Sequence, residues 1–129
     1  MTEKLSDIKL FQLATAAREA TETECAKFPP FEGLALSIQL KKSAKAAVAQ
    51  IEEAYGRFNA GDRIRLLGLS SESIETVLKG LDSSLKSKLI KQPECEKLKS
   101  DWAAVAAEIE TYTAYLEAGG EMESPLPGV

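Results

Sequence analysis

The chain has 129 residues, of which 44% are hydrophobic and 28% charged, with a formal net charge of −4 and no histidine. Such a length buries one core without metals or several disulfides, and the balance is that of a globular chain. The acidic sign gives the whole molecule no electrostatic reason to seek nucleic acid, so an anion-binding role needs a local patch working against it. Without histidine there is no Ser–His or Cys–His nucleophile, no imidazole acid–base group and no Glu-x-x-His di-iron site of the kind helical bundles host.

Met1 is followed by Thr-Glu-Lys-Leu-Ser-Asp, which is not the pattern of a secretory signal. No run approaches the ~18 apolar residues of a membrane span. The only asparagine, Asn59, precedes Ala60-Gly61 and forms no glycosylation sequon. The expected setting is cytoplasmic, with Cys25 and Cys95 reduced.

Taken in chain order, apolar residues recur at spacings of three and four between Pro- and Gly-marked breaks, the period of amphipathic helices. A first helix is expected from about Leu5 to Cys25, facing inward with Leu5, Ile8, Leu10 or Phe11, Leu13-Ala14 and Ala17. Phe28-Pro29-Pro30-Phe31 and Gly33 break the chain. A second helix runs from Leu34 to Phe58, close to ~40 Å long, with Ala44, Val48, Ile51, Tyr55 and Phe58 on one face. Asn59-Ala60-Gly61-Asp62 makes a second break and Gly68-Leu69-Ser70-Ser71 a third. Between them Ile64-Arg65-Leu66-Leu67 reads as a short extra helical turn, near 63–68, tucked under the bundle end.

A third helix is expected from Ser70 or Ser71, both good N-caps, with Ile74, Leu78, Leu81, Leu85 and Leu89 inward. Gly80 inside it points to a close helix contact. Pro93 suits the first turn of a fourth helix and Gly119 its C′ position. Its stripe is the clearest in the chain: Cys95, Leu98, Trp102, Val105, Ile109, Tyr112 and Leu116. From Gly119 to Val129 the composition reads as a flexible acidic tail.

Short connections favour antiparallel neighbours, so the expected fold is all-α, an up-down four-helix bundle formed by 1–118 with the tail at 119–129. That topology brings Cys25, Cys95, the Phe-Pro-Pro-Phe loop and the Pro93 turn to one end. It also places Lys41, Lys42 and Lys45 roughly beside Lys86, Lys88 and Lys91, a candidate patch for an anion or an acidic partner. The bland alternative for these lysines is a solvated helix face. Acidic pairs such as Glu19 with Glu22 and Glu72 with Glu75 fit solvated faces better than a shared divalent ion.

Phe28-Pro29-Pro30-Phe31 is either an exposed proline-rich ligand or a stiff connection whose two rings plug the bundle; buried rings mean a plug. Cys25 and Cys95 are either a redox-responsive pair or two buried hydrophobes. No phosphate-binding glycine loop, dinucleotide fingerprint or metal framework occurs in the sequence, and no cofactor is expected.

The reading that follows is a non-enzymatic protein–protein interaction or structural module, an adaptor or complex subunit. The heptad faces of its second and fourth helices also suit coiled-coil packing and homo-oligomers. The alternative is a bundle that responds to anions or lipids through its lysine-rich end.

Overall fold

The computed structural model describes residues 4–122 and 124–126. One turn of 3-10 helix, Leu5–Asp7, leads into α1 (Lys9–Cys25), followed by α2 (Leu34–Tyr55), α3 (Ala60–Lys86) and α4 (Gln92–Glu117). No strand occurs among the described residues, and the fold is a four-helix bundle. Its principal interfaces are α1–α2, α2–α3, α3–α4 and α1–α4, the most extensive being α2–α3.

Cross-helix contacts show that neighbours run antiparallel. Ser70 Oγ on α3 donates to the Ala47 carbonyl at 2.7 Å, and further along the same interface Gly80 faces Leu40. Between α1 and α4, Lys9 pairs with Glu108 at 3.2 Å, while the Trp102 indole donates to Thr21 Oγ1 at 2.8 Å. Lys99 and Asp82 tie α4 to α3 at 2.7 Å.

The fourth helix has the inward face expected of it: Cys95, Leu98, Trp102, Val105, Ile109 and Leu116 are buried and Tyr112 half-buried. In α1, Leu10, Phe11, Ala14 and Ala17 are buried. Gly80 marks the close contact that its place in a helix implied, since a Cβ there would lie 2.8 Å from Leu40 Cδ2. Gly119 has φ 84, and Gly120 N–H donates to the Tyr115 carbonyl at 2.9 Å, closing α4 with a left-handed glycine.

The third helix differs from expectation. There is no separate turn at 63–68 and no helix start at Ser70 or Ser71; α3 begins at Ala60 and runs unbroken for 27 residues. Its N-cap is Asn59, whose side chain accepts from Asp62 N–H at 2.7 Å. The serines are tolerated because Ser70 spends its hydroxyl on α2, while a Cβ at Gly68 would meet nothing within 4 Å. The inward stripe of α3 is Arg63, Leu66, Leu67, Ser70, Ile74, Val77, Gly80, Leu81 and Ser84. Leu78, Leu85 and Leu89, expected at its centre, are half-buried at its edge.

The second helix is shorter than expected, ending at Tyr55, and Phe58 is not on its inner face but 85% exposed in the turn beyond. The far end of α3 closes with Lys88 in the left-handed region, φ 60, and Leu89 N–H donating to the Ser84 carbonyl at 2.8 Å. Residues 123 and 127–129 of the expected flexible tail lie outside the described residues; Met122 and Leu126 pack half-buried against the core.

Candidate functional site

Two regions concentrate unusual chemistry. The first is the end where α2 turns into α3. Arg63 is fully buried there, and its guanidinium donates to Tyr112 Oη at 2.8 Å, to the Tyr55 carbonyl at 3.2 Å and to the Arg57 carbonyl at 3.1 Å. It lies over the Tyr55 ring, 5.2 Å from the centroid, and Tyr55 stacks on Tyr112 with centroids 5.3 Å apart. Leu126 N–H donates to the same Tyr55 carbonyl at 3.0 Å. Tyr115 Oη donates to the Glu121 carbonyl at 2.8 Å, and a Cβ on Gly120 would run into the Tyr115 ring. A guanidinium answered by carbonyls and a phenol is a structural clasp: its donors face inward, holding the α2–α3 turn to α4 and to the returning chain.

The second region is the outer surface of α2 and the groove it makes with α1. The α1–α2 connection carries the Phe-Pro-Pro-Phe motif, and its two rings part company. Phe28 is buried and plugs the bundle end, whereas Phe31 is 89% exposed. Gly33 is what lets Phe28 sit there, because a Cβ at Gly33 would come within 2.7 Å of Phe28 Cβ. Leu34 and Ile38, one helical turn apart, are 55% and 54% exposed and continue the apolar surface from Phe31. Lys41, Lys42 and Lys45 follow on α2, all exposed. Lys45 lines a groove of about 440 Å³ with Phe11, Thr15 and Arg18 of α1 and Val48 and Glu52 of α2.

The six lysines divide between two places. Lys41 lies near Cys25 and Lys45 borders α1, so both flank the α1–α2 side. Lys86 ends α3, and Lys88 and Lys91 lie in the connection to α4. With Gly80 level with Leu40, Lys86 stands near the level of Leu34, ~10 Å along the axis from Lys41. Among the described residues no ion pair holds any of the six.

Cys25 and Cys95 are free, buried thiols at the ends of α1 and α4 that share one end of the bundle. Burial raises both above the ordinary thiol value, and they address different neighbours. Cys25 lies against Ser37 of α2, and Cys95 Sγ donates to the Leu81 carbonyl of α3 at 3.6 Å. Protonated buried thiols are poor nucleophiles. Trp102 belongs wholly to the core.

Sequence reasoning missed Arg63, Arg18 and Thr15. Arg63 was findable: steps of four and three lead from it through Leu67, Ser70, Ile74 and Val77 to Leu81, all buried. Arg18 and Thr15 carry no such signal, since they matter only through the α2 residues opposite them. No group of three or more cysteine, aspartate or glutamate side chains among the described residues is placed to hold a metal ion. No described helix is long and apolar enough to cross a membrane.

No curated protein matches this sequence. The sequence model of one family, described as 23S rRNA-intervening sequence protein, matches residues 6–111, which take in α1, α2, α3 and most of α4. The chain therefore belongs to the 23S rRNA-intervening sequence protein family.

Proposed function

We propose that this protein is a non-enzymatic, cytoplasmic interaction module that docks a protein partner on the outer face of α2. The observation carrying this reading is the run of exposed Phe31, Leu34 and Ile38 continued by Lys41, Lys42 and Lys45. Contiguous apolar surface rimmed by charge is the usual composition of a protein contact. Phe31 supplies the anchor: a rigid aromatic ring standing on a proline-stiffened loop loses little entropy when it is captured. The reading is that of an adaptor or complex subunit, with the rest of the bundle serving as a scaffold.

Affinity purification of a tagged copy from the native cell, beside the Phe31→Ser/Ile38→Ser double variant, tests it. A partner recovered with the first and lost with the second, at unchanged helicity, is expected. Equal recovery with both would move the interface elsewhere.

A second reading has its own observation. The family description names a ribosomal RNA intervening sequence, and Lys41, Lys42, Lys45, Lys86, Lys88 and Lys91 are free of ion pairs among the described residues. An RNA backbone held by these lysines would bind more weakly as salt rises. The net charge of −4 opposes it. Titration with single- and double-stranded RNA at low salt decides, and absence of binding there ends the RNA reading.

A further inference from the structure

We infer that the partner docking on α2 is a second copy of this chain, the outer faces of two α2 helices packing antiparallel about a two-fold axis near the middle of the helix. This rests on the docking reading above and names the partner.

The outer face of α2 has two halves that fit each other. Ala35, Ile38, Lys42, Lys45, Ala49 and Glu52 recur at steps of three and four, and every one of them is exposed. They form a heptad seam turned to solvent, on a helix whose other face already fills the core. Both ends of the seam are flanked by bare rings. Phe31 stands three residues before the first residue of α2 and Phe58 three residues after the last, 89% and 85% exposed. Charge divides the helix between them. From Leu34 to Ile51 the only charged residues are Lys41, Lys42 and Lys45, and the last turn carries Glu52 and Glu53. Among the described residues no ion pair holds the three lysines or Glu52, and Glu53 reaches Arg57 at 3.7 Å.

That division selects both the orientation and the occupant. Parallel pairing would set lysines against lysines. Antiparallel pairing about the midpoint sets Lys41 level with Val48 of the second copy, one turn (~5.4 Å) from its Glu52, a gap that a lysine and a glutamate side chain bridge together. The same operation brings Phe31 level with Phe58 of the second copy, at both ends of the contact, so that each exposed ring is covered by another. Near the centre Ala46 and Ala49 are small enough for the two helices to approach. Lys45, nearest the axis, borders the α1–α2 groove with Glu52 of its own helix, which turns its charge aside from the second Lys45. A foreign partner would have to reproduce this pattern, whereas α2 matches itself. A two-fold contact of one patch with itself closes at two copies.

Sedimentation equilibrium of the full chain tests it, with helicity followed by circular dichroism. The expected mass is twice the 14.0 kDa of one chain. Phe31→Ser and Phe58→Ser should each weaken the dimer by about tenfold or more at unchanged helicity. Lys41→Glu/Lys42→Glu and Glu52→Lys/Glu53→Lys should each be monomeric alone, because like charges then face one another. Mixed, these two variants should form a heterodimer, since every cross-helix pair is again of opposite sign.

A monomeric chain whose tagged copy still captures another protein through Phe31 would overturn the second-copy contact and leave the docking face standing. A monomer that captures nothing overturns both. A dimer that neither Phe→Ser change weakens, or charge variants that fail to pair on mixing, overturns the α2 contact.

Discussion

Where α2 turns into α3, the bundle buries an arginine and surrounds it with two carbonyls and a tyrosine hydroxyl. On the α1–α2 side another arginine, Arg18, lies partly buried and reaches only Glu19 and Glu22, each at 4.0 Å. The aromatic residues follow the same division. Tyr55 and Tyr112 stack inward against Arg63, whereas Phe31 stands almost wholly in solvent. One region spends its polar and aromatic groups on the fold, and the other holds them in reserve. In the first, substitution should cost stability; in the second, it should cost binding and leave stability nearly untouched.

The largest effects belong to the first region and the core beneath it. Arg63→Ala empties a buried site and removes the donors to the Tyr55 and Arg57 carbonyls and the Tyr112 hydroxyl, and urea denaturation should show a loss of ~3–5 kcal/mol. Arg18→Ala should cost ~1 kcal/mol or less, because it breaks only long contacts. Comparable losses at the two arginines would erase the contrast. Trp102→Ala belongs with Arg63, at ~3–5 kcal/mol, since it empties the largest core site and removes the indole N–H that donates to Thr21 Oγ1.

Glycines give the next step down and carry opposite signs. Gly80→Ala drives a methyl into Leu40 and should destabilise by ~1–3 kcal/mol. Gly68→Ala faces open space within the same helix and should stabilise by up to ~1 kcal/mol. Lys88→Gly relieves a left-handed lysine and should also stabilise, by ~1 kcal/mol, in thermal or urea unfolding.

The thiols supply a pH test. Burial raises Cys25 and Cys95 above 9.0, so the folded chain holds protons that the unfolded chain gives up. Their contribution is therefore fully present below about pH 9 and is lost as pH rises towards the folded values. Cys25→Ala/Cys95→Ala should flatten that alkaline decline. An unchanged slope would mean other groups cause it.

How much of this was legible depended on whether local pattern and tertiary packing agreed. In α4 they agree at every step from Cys95 to Leu116, so both the helix and its buried face were readable. In α3 they conflict. Gly68, Ser70 and Ser71 resemble a turn, and only the Ser70 bond to Ala47 across the interface and the open space beside Gly68 make a continuous helix stable. Phe58 kept the three-residue spacing from Tyr55 but fell past the end of α2. Of the candidate site, the Phe-Pro-Pro-Phe loop and Lys41, Lys42 and Lys45 were visible as residues. The split between Phe28 and Phe31 depends on Gly33 making room for one ring, and the groove depends on α1 meeting α2; neither is a local property.

The central claim is that the outer face of α2, and not the α3–α4 side, is where a partner sits. A photo-crosslinking amino acid placed at Ile38 in one copy and at Thr111 in another, followed by illumination in the native cell, tests it directly. Thr111 borders the groove between α3 and α4 and samples the opposite side. The account predicts a discrete protein adduct from position 38 that disappears with Phe31→Ser, and none from position 111. An adduct from position 111 alone, or one from position 38 that ignores Phe31→Ser, would contradict it.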